Sequence, residues 1–178
     1  GDPLDPATDI GPLISAKQKE KVLEYIAIGK KEAKCVAGGS TPAIKKGYYV
    51  EPTIFADVKN NMRIAQEEIF GPVLSVIKVK DAAEAVRVAN DTDYGLAAMV
   101  WTKDLNQANI IARALRVGTV WVNTFGGFYN EAPFGGYKQS GIGRELGLEG
   151  LLEHTQVKHV NIDLTPGGKS LVASWFNV

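Results

Sequence analysis

Residues 73–122 read VLSVIKVKDAAEAVRVANDTDYGLAAMVWTKDLNQANIIARALRVGTVWV, and their pattern decides the fold. Val73–Val79 is an apolar, β-branched run suited to a buried strand. Asp81 and Glu84 have the spacing of a helix start, where a short polar side chain satisfies a free backbone N–H, so a helix is expected to about Asn90. Leu96–Thr102 reads as a second strand. Asp104 and Gln107 open a longer helix with Ala108, Ile111, Ala112 and Leu115 on its inner face. Gly118 is placed to end that helix as a left-handed C-cap, and Thr119–Val122 is a third strand. Strand, helix, strand, helix, strand predicts an α/β fold, a mostly parallel sheet joined by right-handed crossover helices. No internal repeat or low-complexity linker interrupts the chain, so one domain is expected.

Beyond the third strand, residues 123–147 read NTFGGFYNEAPFGGYKQSGIGRELG. Phe125, Phe128, Tyr129 and Phe134 stand among glycines, and a polar stretch leads into a last helix over Glu145–Thr155. A strand that ends in an aromatic loop over a helix start can build a ligand pocket on a rigid scaffold. The alternative is a surface loop whose aromatics fold back on the core. A final strand is expected over Val157–Leu164, where Val160, Ile162 and Leu164 alternate with Asn161 and Asp163. A tail closes with Trp175-Phe176.

Towards the N-terminus, Gly1–Pro12 carries three prolines and is expected to be extended. Ser15 and Gln18 match a capping box, and Val22, Ile26 and Ala33 mark the inner face of the helix that follows. Lys34–Ala37 is a short strand closed by Gly38-Gly39. Tyr48–Val50 and Thr53–Val58 read as further strands split by Pro52. The 178 residues, 45 % hydrophobic and 22 % charged, suffice for a real core. Zero formal net charge argues against nucleic acid or an anionic membrane as a partner held by bulk electrostatics. No apolar run approaches the roughly 20 residues of a membrane span. One cysteine excludes an intrachain disulfide and a multi-cysteine metal cluster. No signal peptide opens the chain, which begins without methionine and looks cut from something longer; a cytoplasmic location is expected.

Several motifs carry less than they suggest. Gly141-Ile142-Gly143 resembles the start of a dinucleotide fingerprint, but Tyr137–Ser140 before it does not read as a strand and Leu146 stands where a small residue is required. Gly168-Lys169-Ser170 resembles the end of a P-loop without its first glycine or its helix. Asn90-Asp91-Thr92 fits a glycosylation sequon, a pattern frequent by chance. His154 and His159 lack further ligands nearby, so no metal site is expected. Cys35 lies in a plain strand with no base beside it and reads as structural.

The informative motif is Gln66-Glu67-Glu68-Ile69-Phe70-Gly71-Pro72-Val73. A carboxylate there can accept two hydrogen bonds from a vicinal diol, and an aromatic two residues on can pack against a flat ring. A solvated acidic pair beside a buried anchor is the plainer alternative.

Glu67–Val73 and Pro133–Glu145 together resemble two long signatures of the NAD(P)-dependent aldehyde dehydrogenase superfamily, with Gly118–Asn123 as a third. The opening, Gly1–Pro12, is similar to the segment that follows that family's catalytic cysteine. The likeness implies that residues 1–155 are the C-terminal part of a catalytic domain, 156–164 an oligomerisation strand and 165–178 a tail. It implies that Glu68 holds the nicotinamide-ribose hydroxyls of NAD or NADP and that Phe70 packs beside the nicotinamide. Phe128 and Phe134 would line the aldehyde tunnel, with Thr124 at its inner end and Asn123 bracing the loop. Arg144 and Glu145 would fix the helix start and a subunit contact. The implied reaction oxidises an aldehyde to a carboxylic acid through a cysteine thiohemiacetal, with hydride passing to the nicotinamide and water releasing the acyl group.

The departures matter as much. The chain has no Gly-Gln-x-Cys nucleophile motif, no Glu-Leu-Gly-Gly-Lys general-base motif and no coenzyme-binding domain. No catalytic residue is therefore expected in it, and alone it is expected to be inactive. Two readings follow: a piece of an aldehyde dehydrogenase, working as a homo-oligomer on an aldehyde, or a non-catalytic binding or assembly module derived from that fold.

Overall fold

The computed structural model describes residues 1–164; the tail at 165–178 lies outside them. Element order is α1 (Ala16–Glu32), β1 (Lys34–Ala37), β2 (Thr53–Ala56), α2 (Arg63–Gln66), β3 (Val73–Ser75), α3 (Ala82–Asn90), β4 (Tyr94–Gly95), β5 (Ala97–Val100), α4 (Leu105–Ala114), β6 (Thr119–Val122), β7 (Tyr137–Lys138) and α5 (Gly147–Leu152). The α/β class holds. Crossovers join the parallel pairs β2–β3 and β5–β6, and β1 adds antiparallel to β2. Strands β4 and β7 form a separate antiparallel pair. The expected sheet is thus divided into short pieces, because each strand pairs for only a few residues.

Contacts divide the chain into two compact units, Gly1–Gly127 with Gly135–Ile142, and Phe128–Phe134 with the chain from Gly143 onward. The core of the first unit lies between α1 and β1–β3. Val22, Tyr25 and Ile26 of α1 meet Phe55, Val58, Ile64 and Ile69, all buried. Phe55 is fully buried and its ring reaches α1 at Gly29, where an added Cβ would lie 2.6 Å from it.

Helix starts follow the expected chemistry. Ser15 Oγ accepts from the Gln18 N–H, Asp81 from the Glu84 N–H, and Asp104 from the Asn106 and Gln107 N–H groups. The Ser15 box is only half made, because the Gln18 side chain bonds the carbonyls of Ile69 and Phe70 instead.

Other expectations are corrected. Gly1–Pro12 is not extended: Asp2 and Asp5 each accept from a backbone N–H two residues on, and the segment folds into turns. Tyr48–Val50 forms no strand, although Tyr49 and Val50 are buried, because its carbonyl contact goes to the Leu13 N–H. The strand expected to Val79 ends at Ser75. Tyr137–Lys138 does form a two-residue strand, paired with Tyr94–Gly95. Gly118 is no C-cap, since α4 already ends at Ala114. It is glycine because its backbone lies against Gly135, whose carbonyl oxygen would be 1.7 Å from an added Cβ. The last helix is shorter than expected, and Val157–Leu164 forms no strand and leaves Val160, Ile162 and Leu164 exposed, because among the described residues no neighbouring strand reaches it.

Candidate functional site

The segment Glu67–Gly71 is held against α1 by a set of bonds in reverse order. Tyr25 Oη donates to Glu67 Oε2 at 2.5 Å, Lys21 Nζ to the Glu68 carbonyl at 2.8 Å, and Gln18 Nε2 to the carbonyls of Ile69 and Phe70 at 3.0 and 2.8 Å. Positions 18, 21 and 25 fall on one helical face, which is why one helix can meet successive residues of an antiparallel segment. Gly71 permits the close approach, since a Cβ there would lie 2.5 Å from Val22. Arg63 completes the arrangement with two bonds to the Glu67 carboxylate, at 2.9 and 2.8 Å. The Arg63 bonds first, and the Tyr25 hydroxyl second, lower the Glu67 pKa to about 2. The same carboxylate raises the Tyr25 pKa.

Between these fixed points Glu68 and Phe70 face outward. Both are exposed, Phe70 by 69 %, and Phe70 holds a left-handed φ of 54°, which an aromatic residue adopts only under constraint. Ile69 between them is buried. The alternation places one carboxylate and one flat ring on the surface from a backbone that is bonded on its other side. Glu68 also lines a cleft of about 540 Å³ with Gln66, Thr92, Tyr94 and Ser140; Phe70, Asn123 and Thr124 do not line it.

Asn123 turns the end of β6. Its Oδ1 accepts from the Thr102 N–H at 2.9 Å and its Nδ2 donates to the Thr102 carbonyl at 2.8 Å, so a side chain continues the β5–β6 pairing. Its own φ is 55°, a conformation asparagine tolerates well. This is a bracing geometry, with the amide occupied on both sides, and it leaves Thr124 exposed on the following residue. Trp121 anchors the loop from below, its indole N–H donating to the Gly127 carbonyl at 3.0 Å and its ring edge-on to Phe125.

In the second unit Phe128 and Phe134 meet edge to face, with centroids 4.9 Å apart. Glu145 fixes this pair by its backbone: Phe134 and Glu145 exchange two N–H···O bonds of 2.7 Å. Glu145 therefore braces the aromatic loop and does not cap α5, whose start at Gly147 is preceded by Leu146 with φ 61°. The Arg144 guanidinium donates to the Gly143 carbonyl.

The weaker motifs resolve simply. Cys35 Sγ packs on the core and donates to the Ala37 carbonyl. Both ends of the Asn90 side chain are bonded, to the Ala114 carbonyl and the Arg116 N–H. Among the described residues no group of His, Cys, Asp and Glu could hold a metal ion. The grip of Gln18, Lys21 and Tyr25 on the acidic loop escaped the sequence reading. The only signal was a polar residue at each of positions 18, 21 and 25 on a helix whose next turn is apolar.

The α/β scaffold thus presents a carboxylate and a flat ring from one braced loop. The chain belongs to the aldehyde dehydrogenase family, whose pattern matches residues 1–160. It is 54 % identical over 165 residues to retinaldehyde dehydrogenase 3 of Rattus norvegicus, covering 92 % of this chain and 32 % of that one. It is 49 % identical over 168 residues to betaine aldehyde dehydrogenase of Brucella melitensis, with 92 % and 34 % covered. A solved indole-3-acetaldehyde dehydrogenase of P. syringae, a mutant in complex with NAD+ and IAA, matches with a TM-score of 0.85 and 55 % identity over 89 % of this chain and 32 % of that one. The chain thus spans about a third of the length of the relatives it matches.

Proposed function

We propose that this chain is the segment of an NAD(P)+-dependent aldehyde dehydrogenase that seats the nicotinamide end of the coenzyme and supplies a wall of the aldehyde site. The observation that carries the reading is the α1-braced loop, with Glu68 and Phe70 exposed between bonded neighbours. The residues fit the group. Glu68 is free to accept two hydroxyl donors of a ribose, and Phe70 offers a ring face to a planar heterocycle. The nicotinamide, when bound, accepts the hydride. The chain's own residues orient it and shield one side of the aldehyde. In the second unit Phe128 and Phe134 offer apolar rings to an aldehyde and Glu145 holds Phe134 in place; in the first, Asn123 braces the turn that presents Thr124.

The covalent step needs a thiolate, and Cys35 is engaged in packing. The chain by itself is accordingly inactive in this reading, and the nucleophile and general base come from sequence that precedes Gly1 in the working enzyme. That enzyme acts as a homo-oligomer in the cytoplasm, with residues 156–164 adding as a strand to a neighbouring subunit. Val157, Val160, Ile162 and Leu164 are exposed and, among the described residues, paired with no strand, which supports that role. Among the described residues no helix is long and apolar enough to cross a membrane.

The decisive experiment reads the coding sequence upstream of Gly1 and then expresses the joined chain. A Gly-Gln-x-Cys shortly before Gly1, and NAD(P)+-dependent aldehyde oxidation by the longer protein, are the expected results. A start codon directly before Gly1 overturns the reading in favour of a non-catalytic module.

A further inference from the structure

We propose that Tyr25 is a positioning residue for the Glu68 carboxylate, acting through the Glu67 side chain and touching neither coenzyme nor aldehyde. The inference rests on the reading of Glu68 given above and goes a layer deeper into the same site.

Three of the bonds from α1 to the loop end on backbone carbonyls, those of Glu68, Ile69 and Phe70. They fix the chain from Glu68 onward. On the N-terminal side of Glu68 the Glu67 N–H closes α2 on the Arg63 carbonyl at 2.9 Å, and the bond that ties this end of the loop to α1 is between side chains, Tyr25 to Glu67. Tyr25, Glu67 and Arg63 close a triangle: the hydroxyl and the guanidinium share Glu67 Oε2, and Arg63 Cζ stands 5.4 Å over the Tyr25 ring. The three corners differ in rigidity. Arg63 and Glu67 are about half exposed, and an ion pair between two such side chains holds little by itself. Tyr25 is 9 % exposed and its ring is part of the core cluster, so its hydroxyl is delivered from a body that cannot yield. A core residue thereby sets where an otherwise solvent-exposed acidic pair begins. The residue after that pair's buried neighbour, Phe70, is held in a left-handed conformation, which demands restraint on both sides of the loop.

The test starts with exchange in the longer enzyme that carries this segment. Tyr25→Phe keeps the ring in the core and removes the bond; Glu67→Gln, at the surface, weakens the same bond from the other side without disturbing the core. Amide hydrogen exchange followed by NMR is expected to rise about tenfold at Glu67 and Val73, whose N–H groups donate to the Arg63 and Gly71 carbonyls at the two ends of the loop, in both variants, as befits loss of a hydrogen bond to a charged group. Exchange in α4 and at the β5–β6 pair is expected to stay as it was. The second arm uses the aldehyde dehydrogenase that carries this segment. There Tyr25→Phe is expected to raise KM for NAD+ several-fold and slow the single-turnover hydride step, with KM for aldehyde unchanged. Glu68→Gln is the reference. If Glu68→Gln impairs coenzyme use and Tyr25→Phe does not, the positioning role is overturned and the site reading stands. If Glu68→Gln is itself silent, the site reading falls and the positioning role with it. If exchange rises throughout the chain, Tyr25 is a general core residue and the proposal is overturned.

Discussion

Glu67 and Glu68 are adjacent carboxylates with different surroundings, one clasped by Arg63 and Tyr25 and one exposed. For Glu68 the expected consequence is kinetic. In the working enzyme Glu68→Gln should slow hydride transfer more than it weakens aldehyde binding, because a small displacement of the nicotinamide is costly; an unchanged single-turnover hydride step would count against this. For Glu67 the consequence is a pH dependence. Its folded pKa, about 2, lies below the ordinary 4.5, so its contribution to stability is complete above about 4.5 and is lost as pH falls from there towards 2. Urea midpoints of the wild type and Glu67→Gln should therefore differ at neutral pH and converge across that window. Because both partners are half exposed, the difference should shrink in high salt. Identical midpoints at pH 7 and low salt would show that the pair adds nothing.

At the scale of elements, local chemistry was legible and long-range chemistry was not. Asp81 and Asp104 announce their helices because capping is settled within three residues, and both caps are made. Asp104→Ala should cost about 1 kcal/mol in urea unfolding. Strand ends were misjudged because an apolar run such as Val73–Val79 states its preference but not the length of its partner. Gly118 was misassigned for a similar reason. Its neighbour in sequence suggested a helix end, while its neighbour in space, the Gly135 carbonyl, lies seventeen positions away. Gly118→Ala should cost on the order of 3 kcal/mol or prevent folding. Gly126→Ala, with open space around it and only a left-handed φ of 71° to oppose a side chain, should cost about 1 kcal/mol. Equal losses would refute the close-approach account. For the candidate site, residue type alone leaves a solvated acidic pair as the plainer reading; the family resemblance is what singles out Glu68 and Phe70, and the structure leaves both exposed, whereas Tyr25 looks like one more core aromatic in the sequence.

Across the whole molecule the exposed apolar surface carries the message. Leu74, Met99, Trp101, Ile110 and Ile162 are each half exposed or more. For residues 156–164, Ile162→Pro removes a backbone donor from the middle of the segment. The longer enzyme carrying it should sediment towards monomer with its far-UV spectrum largely kept. If it stays assembled, the segment is not at the interface. The apolar pair Phe128 and Phe134, with the exposed Glu131 close by in sequence and no arginine between Thr124 and Phe134, should favour medium-chain or aromatic aldehydes over charged semialdehydes. A best kcat/KM for succinic semialdehyde would contradict this. The α1 grip on the loop has one further consequence. Gln18 and Lys21 read only carbonyl oxygens, which every amino acid carries, so they are indifferent to which side chains stand at 68 and 70. Substitutions there can change what is recognised without loosening the frame, whereas inserting one residue would shift each later carbonyl off its donor by about 3.5 Å. The frame therefore sets the loop's length, while its recognition chemistry rests on the two side chains at 68 and 70.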